Sequence, residues 1–97
     1  MKTGYMITRY MTKKKNNGTS HIITPKNFVM LAGKTPPVFM NEEAGYNAFE
    51  EITNKVLDMN DKFEEDMSER TSNIRVFHNK ENGFDYVYVL DTVFLQE

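Results

Sequence analysis

Between Glu42 and Arg70 the apolar residues Tyr46, Phe49, Ile52, Val56, Met59, Phe63 and Met67 recur every three or four positions. A helix turns once per about 3.6 residues, so this spacing gathers all seven on one stripe. The other side carries Glu50, Asn54, Asp61, Glu65 and Ser68, and no proline interrupts the run. The pattern predicts one long amphipathic helix over about 42–69, around which the rest of the chain must be arranged. Asn41 is placed to cap the first free N–H groups. Glu42 and Glu43 follow in the first turn, where the helix dipole favours negative charge. The pairs Glu51–Lys55, Asp58–Lys62 and Asp66–Arg70 set an acid four residues before a base, worth about 0.2–0.5 kcal/mol each. Gly45 is the weak position, costing about 1 kcal/mol relative to alanine. Thr71-Ser72-Asn73 ends the element.

Such a helix would span roughly 40 Å, whereas an ordinary strand covers about 17–20 Å. Either its end near Phe63 and Met67 overhangs its own sheet, to be covered by a second copy or another partner, or the helix breaks near Asn60 into two shorter helices that both pack inside one domain.

The flanking segments read as strands. Tyr5–Thr12 alternates and is rich in aromatic and β-branched residues. Lys13–Ser20 is a polar loop containing Asn17-Gly18. His21–Thr24 is a short strand stopped by Pro25, and Phe28–Leu31 resumes. Ala32–Pro37 is a turn in which Pro36-Pro37 forbids helix, and Val38–Met40 is a short strand leading into Asn41. After the helix come Ile74–His78, a turn at Asn79–Gly83 with Asn82-Gly83 as its hairpin signal, and Phe84–Leu95. The apolar run Tyr86–Leu90 predicts a central strand. The expected fold is α+β, a single domain over 1–97: a mostly antiparallel sheet of four to five strands, with the helix across one face in the order β-β-(β)-α-β-β. Tyr5, Tyr10, Phe84, Tyr86 and Tyr88 are aromatic candidates for either face, with the core the favoured place.

Charge is distributed unevenly. Residues 1–41 hold seven basic residues and no acid, whereas residues 42–97 hold all fourteen acids and five bases. The net charge of −2 thus hides a positive first segment and a strongly negative second one. Asymmetry of this kind points to a charged partner or to attraction between the two halves. There is no cysteine, hence no disulfide framework and no cysteine metal site. With no long apolar run and no signal-peptide pattern at Met1–Tyr10, the expectation is a cytoplasmic protein without membrane contact.

Motifs for chemistry are sparse. Ala32-Gly33-Lys34-Thr35 has the look of a phosphate loop, but the first glycine such a loop needs is Phe28 here, and Pro36 blocks the following helix. His21 and His78 have no ligand spacing and no motif-linked nucleophile. The expectation is therefore no enzyme, no catalytic residue, no metal and no cofactor. Two binding surfaces are candidates. One is the acidic side of the helix, with Asp58, Asp61, Glu65 and Glu69 as charges and Phe63 and Met67 as apolar anchors for a protein partner. The other is a basic hairpin, with Arg9, Lys13, Lys14, Lys15 and Lys26 neutralising phosphates and Tyr10 available for stacking on DNA or RNA. In outline only, strands followed by a helix resemble small β-sheet DNA readers such as AP2-like modules, whose residue motifs are absent.

A short, cysteine-free, charge-polarised chain rich in lysine, asparagine and methionine resembles in style the small accessory proteins of bacteriophages and mobile elements, anti-CRISPR proteins among them. The resemblance implies a non-enzymatic, homodimeric inhibitor that binds and blocks or sequesters a host or defence component in the host cytoplasm. A nucleic-acid module and a binder of a small anionic ligand are the alternatives.

Overall fold

The computed structural model describes residues 2–14, 20–22, 27–28, 37–59 and 61–95. Its elements in chain order are β1 (Lys2–Lys14), β2 (Ser20–Ile22), β3 (Asn27–Phe28), α1 (Glu42–Met59), β4 (Phe63–Glu65), a 3-10 turn at Met67–Glu69, β5 (Ile74–Asn79) and β6 (Asp85–Leu95). The strands form one antiparallel sheet in the order β2-β1-β6-β5-β4, with β3 also pairing with β1. This is the α+β architecture expected, with the apolar β6 between β1 and β5.

The long β1·β6 ladder runs without a break from Lys2↔Leu95 to Thr12↔Asp85. On its outer edge β1 meets three short segments in turn: Thr12 pairs with Ile22, Arg9 with Asn27, and Tyr5 with Phe39 through two hydrogen bonds of 2.8 Å. They act as one interrupted edge strand. The stretch expected as a strand at Val38–Met40 thus contributes a single bridge at Phe39.

Because side chains alternate along each strand, the register assigns the faces. Tyr5, Ile7, Arg9, Phe77, Tyr86, Tyr88 and Leu90 share the face that meets α1. Its buried centre is Ile7, Phe49, Phe77, Tyr88 and Leu90, flanked by Tyr5, Tyr46, Ile52, Val56, Phe63 and Tyr86. Three of the five aromatic candidates, Tyr5, Tyr86 and Tyr88, therefore belong to this core. Tyr10 packs on the other face against Val76, Val87 and Val89, and Phe84 is half-buried beside the Lys13 ammonium, 5.3 Å from its ring centre. Gly45 marks the close approach of helix and sheet. A β-carbon there would lie 3.2 Å from the Tyr5 Cβ and 3.6 Å from Leu90, which explains a glycine inside the helix. Asn41 caps α1 as expected, its side-chain oxygen accepting from the Ala44 N–H at 3.2 Å.

The helix ends at Met59 and does not run to about 69. Phe63 keeps the helical spacing, yet it enters β4 and packs edge-to-face on Tyr86 at 5.0 Å. The expected overhang therefore disappears: Phe63 is tucked against the sheet, and Met67 stands exposed on the 3-10 turn. The position of a break at Asn60 lies outside the described residues. Of the three expected helical ion pairs, Glu51–Lys55 forms at 3.8 Å. The other two need helix beyond Met59; instead Lys62 pairs with Glu81 at 2.7 Å and Arg70 with Glu50 at 3.1 Å.

Arg75 joins these layers. Only 2% of its side chain is exposed, and only 7% of that of Glu65. Its Nε donates to Glu65 Oε2 at 3.0 Å and its Nη2 to the other carboxylate oxygen, while Nη1 donates to Thr53 Oγ1 at 2.8 Å and Asn54 Oδ1 at 2.7 Å. The Thr53 hydroxyl in turn donates to the Phe49 carbonyl at 2.6 Å. β4, β5 and α1 are thus tied through one guanidinium, which the carboxylate fork holds protonated by raising its pKa further.

Candidate functional site

The face of the sheet turned away from α1 carries the site. One lateral row crosses it, Glu64↔His78↔Asp85↔Thr12↔Ile22, each residue being the cross-strand partner of the next. The hairpin between β5 and β6 sets this row. Asn79 accepts from the Glu81 and Asn82 N–H groups through its side-chain oxygen, its own N–H donates to the Phe84 carbonyl, and Gly83 turns the chain at φ 77°. Left-handed backbone of that kind favours glycine, and the loop places Asp85 opposite His78. The two side chains meet at 2.8 Å between Nδ1 and Asp85 Oδ1. Asp85 is buried and His78 is 45% exposed. With Asp85 ionised, Nδ1–H donates to it, leaving Nε2 as the ring's second hydrogen-bonding atom.

The segment after β4 closes one side. Asp66 continues the β-ladder through its N–H to the Val76 carbonyl at 2.9 Å. Its carboxylate then accepts from the Ser68 N–H at 3.1 Å and the Ser68 hydroxyl at 2.6 Å, capping the 3-10 turn. Those Ser68 hydrogen bonds, together with Lys14 at 3.9 Å and the nearby His78, hold the Asp66 carboxyl below its usual pKa.

Between this segment and the sheet opens a cleft of about 450 Å³, lined by Lys14, Glu64, Glu65, Asp66, Met67, His78 and Asp85. A smaller hollow of about 250 Å³ shares Lys14, Asp66 and Asp85 and continues over Tyr10, Val76 and Val87. Glu65 is neutralised by Arg75. Among the described lining residues, Glu64, Asp66 and Asp85 stand against Lys14, a balance that suits a cationic group. Among the described residues, no group of three or more His, Cys, Asp or Glu is arranged to hold a metal ion.

The residues singled out in the sequence are dispersed by this fold. Asp58 is exposed in the last turn of α1 and Asp61 in the following turn. Glu65 is internal, Phe63 packs inward, and Met67 and Glu69 are exposed on the 3-10 turn. They do not form one helical face, because the helix has already ended. Met67 and Glu69 nevertheless border the cleft and its hollow. The basic residues do not form one ribbon face either. Arg9 lies on the helix side, 6.0 Å from the Tyr88 ring centre, and Lys13 shares that side, whereas Tyr10 and Lys14 project from the opposite one. Lys15 and Lys26 lie outside the described residues, as does the Ala32–Thr35 loop. The pairing of His78 with Asp85 is not visible in the sequence, because the two are seven apart with no motif between them; only the register of the Asn79–Phe84 loop brings them together. No family model, curated protein or solved structure matches this chain.

Proposed function

We propose that the protein is a non-enzymatic binding protein that takes a basic side chain of a protein partner into the cleft and thereby blocks or sequesters that partner. The observation that carries this reading is the cleft itself: a hollow of about 450 Å³ whose lining sets Glu64, Asp66 and the buried Asp85 against Lys14. An arginine or lysine entering it gains charge-assisted hydrogen bonds to carboxylates. Arginine anchors in desolvated pockets dominate many protein interfaces. Met67, 62% exposed at the rim, adds an apolar contact that adapts to its neighbour. The exposed acids Asp58, Asp61 and Glu69 supply a wider negative field that steers a basic surface toward the site. Blocking a host or defence component is the role such a contact serves in accessory proteins of this style.

The test is a pull-down from host lysate with tagged protein, run with and without nuclease, alongside a Glu64→Lys/Asp66→Lys variant. The reading requires a discrete protein that survives nuclease and is lost with the variant. Retention by the variant, or loss on nuclease treatment alone, refutes it; the second result moves the contact to the basic hairpin.

A further inference from the structure

The β6 strand is paired on both sides only for part of its length. On the β5 side the ladder runs from His78↔Asp85 to Ile74↔Val89, and its last hydrogen bond is Leu90 N–H to the Asn73 carbonyl at 2.8 Å. On the β1 side pairing continues to Leu95. Positions 91–95 of β6 therefore form an edge with no strand beside it among the described residues. Residues along an antiparallel strand direct their N–H and C=O groups alternately to the two sides. Since Leu90 points toward β5, Thr92 and Phe94 point outward, two donors and two acceptors in all. Natural sheets blunt such edges with charges, proline or bulges. The stretch Thr92-Val93-Phe94 has no charge or proline, its register with β1 has no bulge, and Phe94 is 71% exposed.

We infer that this edge pairs with the same edge of a second copy, through a two-fold axis at Val93. Antiparallel pairing about that point sets Thr92 opposite the partner's Phe94 and Phe94 opposite the partner's Thr92, so every outward N–H and C=O meets its complement. Val93 then lies opposite its own symmetry mate. A second copy fits the open stretch from end to end: Leu95 of one chain reaches Asp91 of the other, and the next position is already occupied by Asn73. What favours it over a foreign strand is the exposed Phe94, which this register sets beside its own symmetry mate. The two Phe94 rings fall on one face as diagonal neighbours, about 7–8 Å apart, within aromatic reach. This surface lies apart from the cleft and does not depend on what the cleft binds.

Sedimentation or light scattering over a concentration series reaching millimolar tests the inference. The expected mass rises to twice the 11.4 kDa of one chain. Thr92→Pro removes an outward N–H and no β1 bond, and Phe94→Lys places a charge on the edge. Each is expected to abolish the doubling while keeping the circular dichroism spectrum, whereas Met67→Lys leaves the mass doubled. A single-chain mass throughout the series overturns the inference. So does doubling that persists in both edge variants, or doubling lost in Met67→Lys.

Discussion

Replacing Arg75 with methionine tests the account of the interior most directly. The substitution keeps much of the side chain's length but removes five donors. It leaves the Glu65 carboxylate, 7% exposed, without the fork that neutralises it, and withdraws a donor from both Thr53 and Asn54. Arg70 is the remaining cation near Glu65, at 3.7 Å, and is itself engaged with Glu50. Removing one member of a buried pair costs about 3–5 kcal/mol, because a charge stays behind in the interior. A domain of this size has a total stability of about 5–15 kcal/mol, so the loss is a large share of it. With a urea slope of about 1–3 kcal/mol/M, the unfolding midpoint should fall by at least 1 M. Circular dichroism reads the transition, since the chain contains no tryptophan. The decisive sample is the double variant Arg75→Met/Glu65→Leu. Exchanging both charges for apolar groups removes the stranded carboxylate, and such exchanges are often neutral or stabilising. The double variant should recover most of the loss. A loss below about 1 kcal/mol in Arg75→Met, the ordinary value for a single hydrogen bond, or no recovery in the double variant, would show that the pair does not tie α1 to the sheet.

Two further outcomes follow from the hairpin and the 3-10 turn. Gly83→Ala should cost about 1–2 kcal/mol in denaturant unfolding, entirely through the backbone, since φ is +77° and a β-carbon there meets nothing within 4 Å; an unchanged midpoint would refute the assignment. The Asp66 carboxyl is held below 3.8 chiefly by the Ser68 hydroxyl. A depressed carboxyl stabilises the fold above its unfolded value and loses that contribution as pH falls through the folded one. An acid titration should therefore show Ser68→Ala unfolding at higher pH than the native chain, while adding Ser68→Ala to Asp66→Asn produces no further displacement.

The sheet was largely legible because its strands repeat with period two and its loops carry turn chemistry. Tyr86–Leu90 announced a central strand through its unbroken apolar run, and Asn41 announced the start of α1. The end of α1 was hidden by a coincidence of periods. Phe63 and Met67 continue the four-residue spacing from Met59, while Phe63-Glu64-Glu65 also satisfies the alternation of a strand. The charges hid the end further: Asp58 occupies the last turn with no base in it, where the dipole disfavours negative charge, so the usual basic stop signal is absent. The signal that was available is Asp66-x-Ser68, a capping pattern for a new turn. The cleft as a site was not legible, although Lys14, Glu65 and Met67 of its lining were candidates for separate surfaces. Had Asn82 and Gly83 formed a two-residue turn, Asp85 would have faced Lys80; the five-residue loop shifts it to His78. No composition or spacing argument distinguishes those registers, and the cleft depends on the second.

The strand order also has a consequence for biogenesis. The strand that β1 and β5 share is synthesised after both of them, and Tyr10 meets its neighbour Val87 across a long stretch of sequence. At about 5–20 residues per second, β1 waits roughly 4–15 s at the ribosome before β6 can join it. The closure of so long a loop belongs to the slow class of folding reactions. Until α1 emerges, the segment up to Asn41 carries only positive charge, and nascent copies at that stage repel one another. Residues 42–84 then bring eleven acids and five bases, so this repulsion fades before β6 arrives and the open edges of β1 are shielded by charge only early in synthesis.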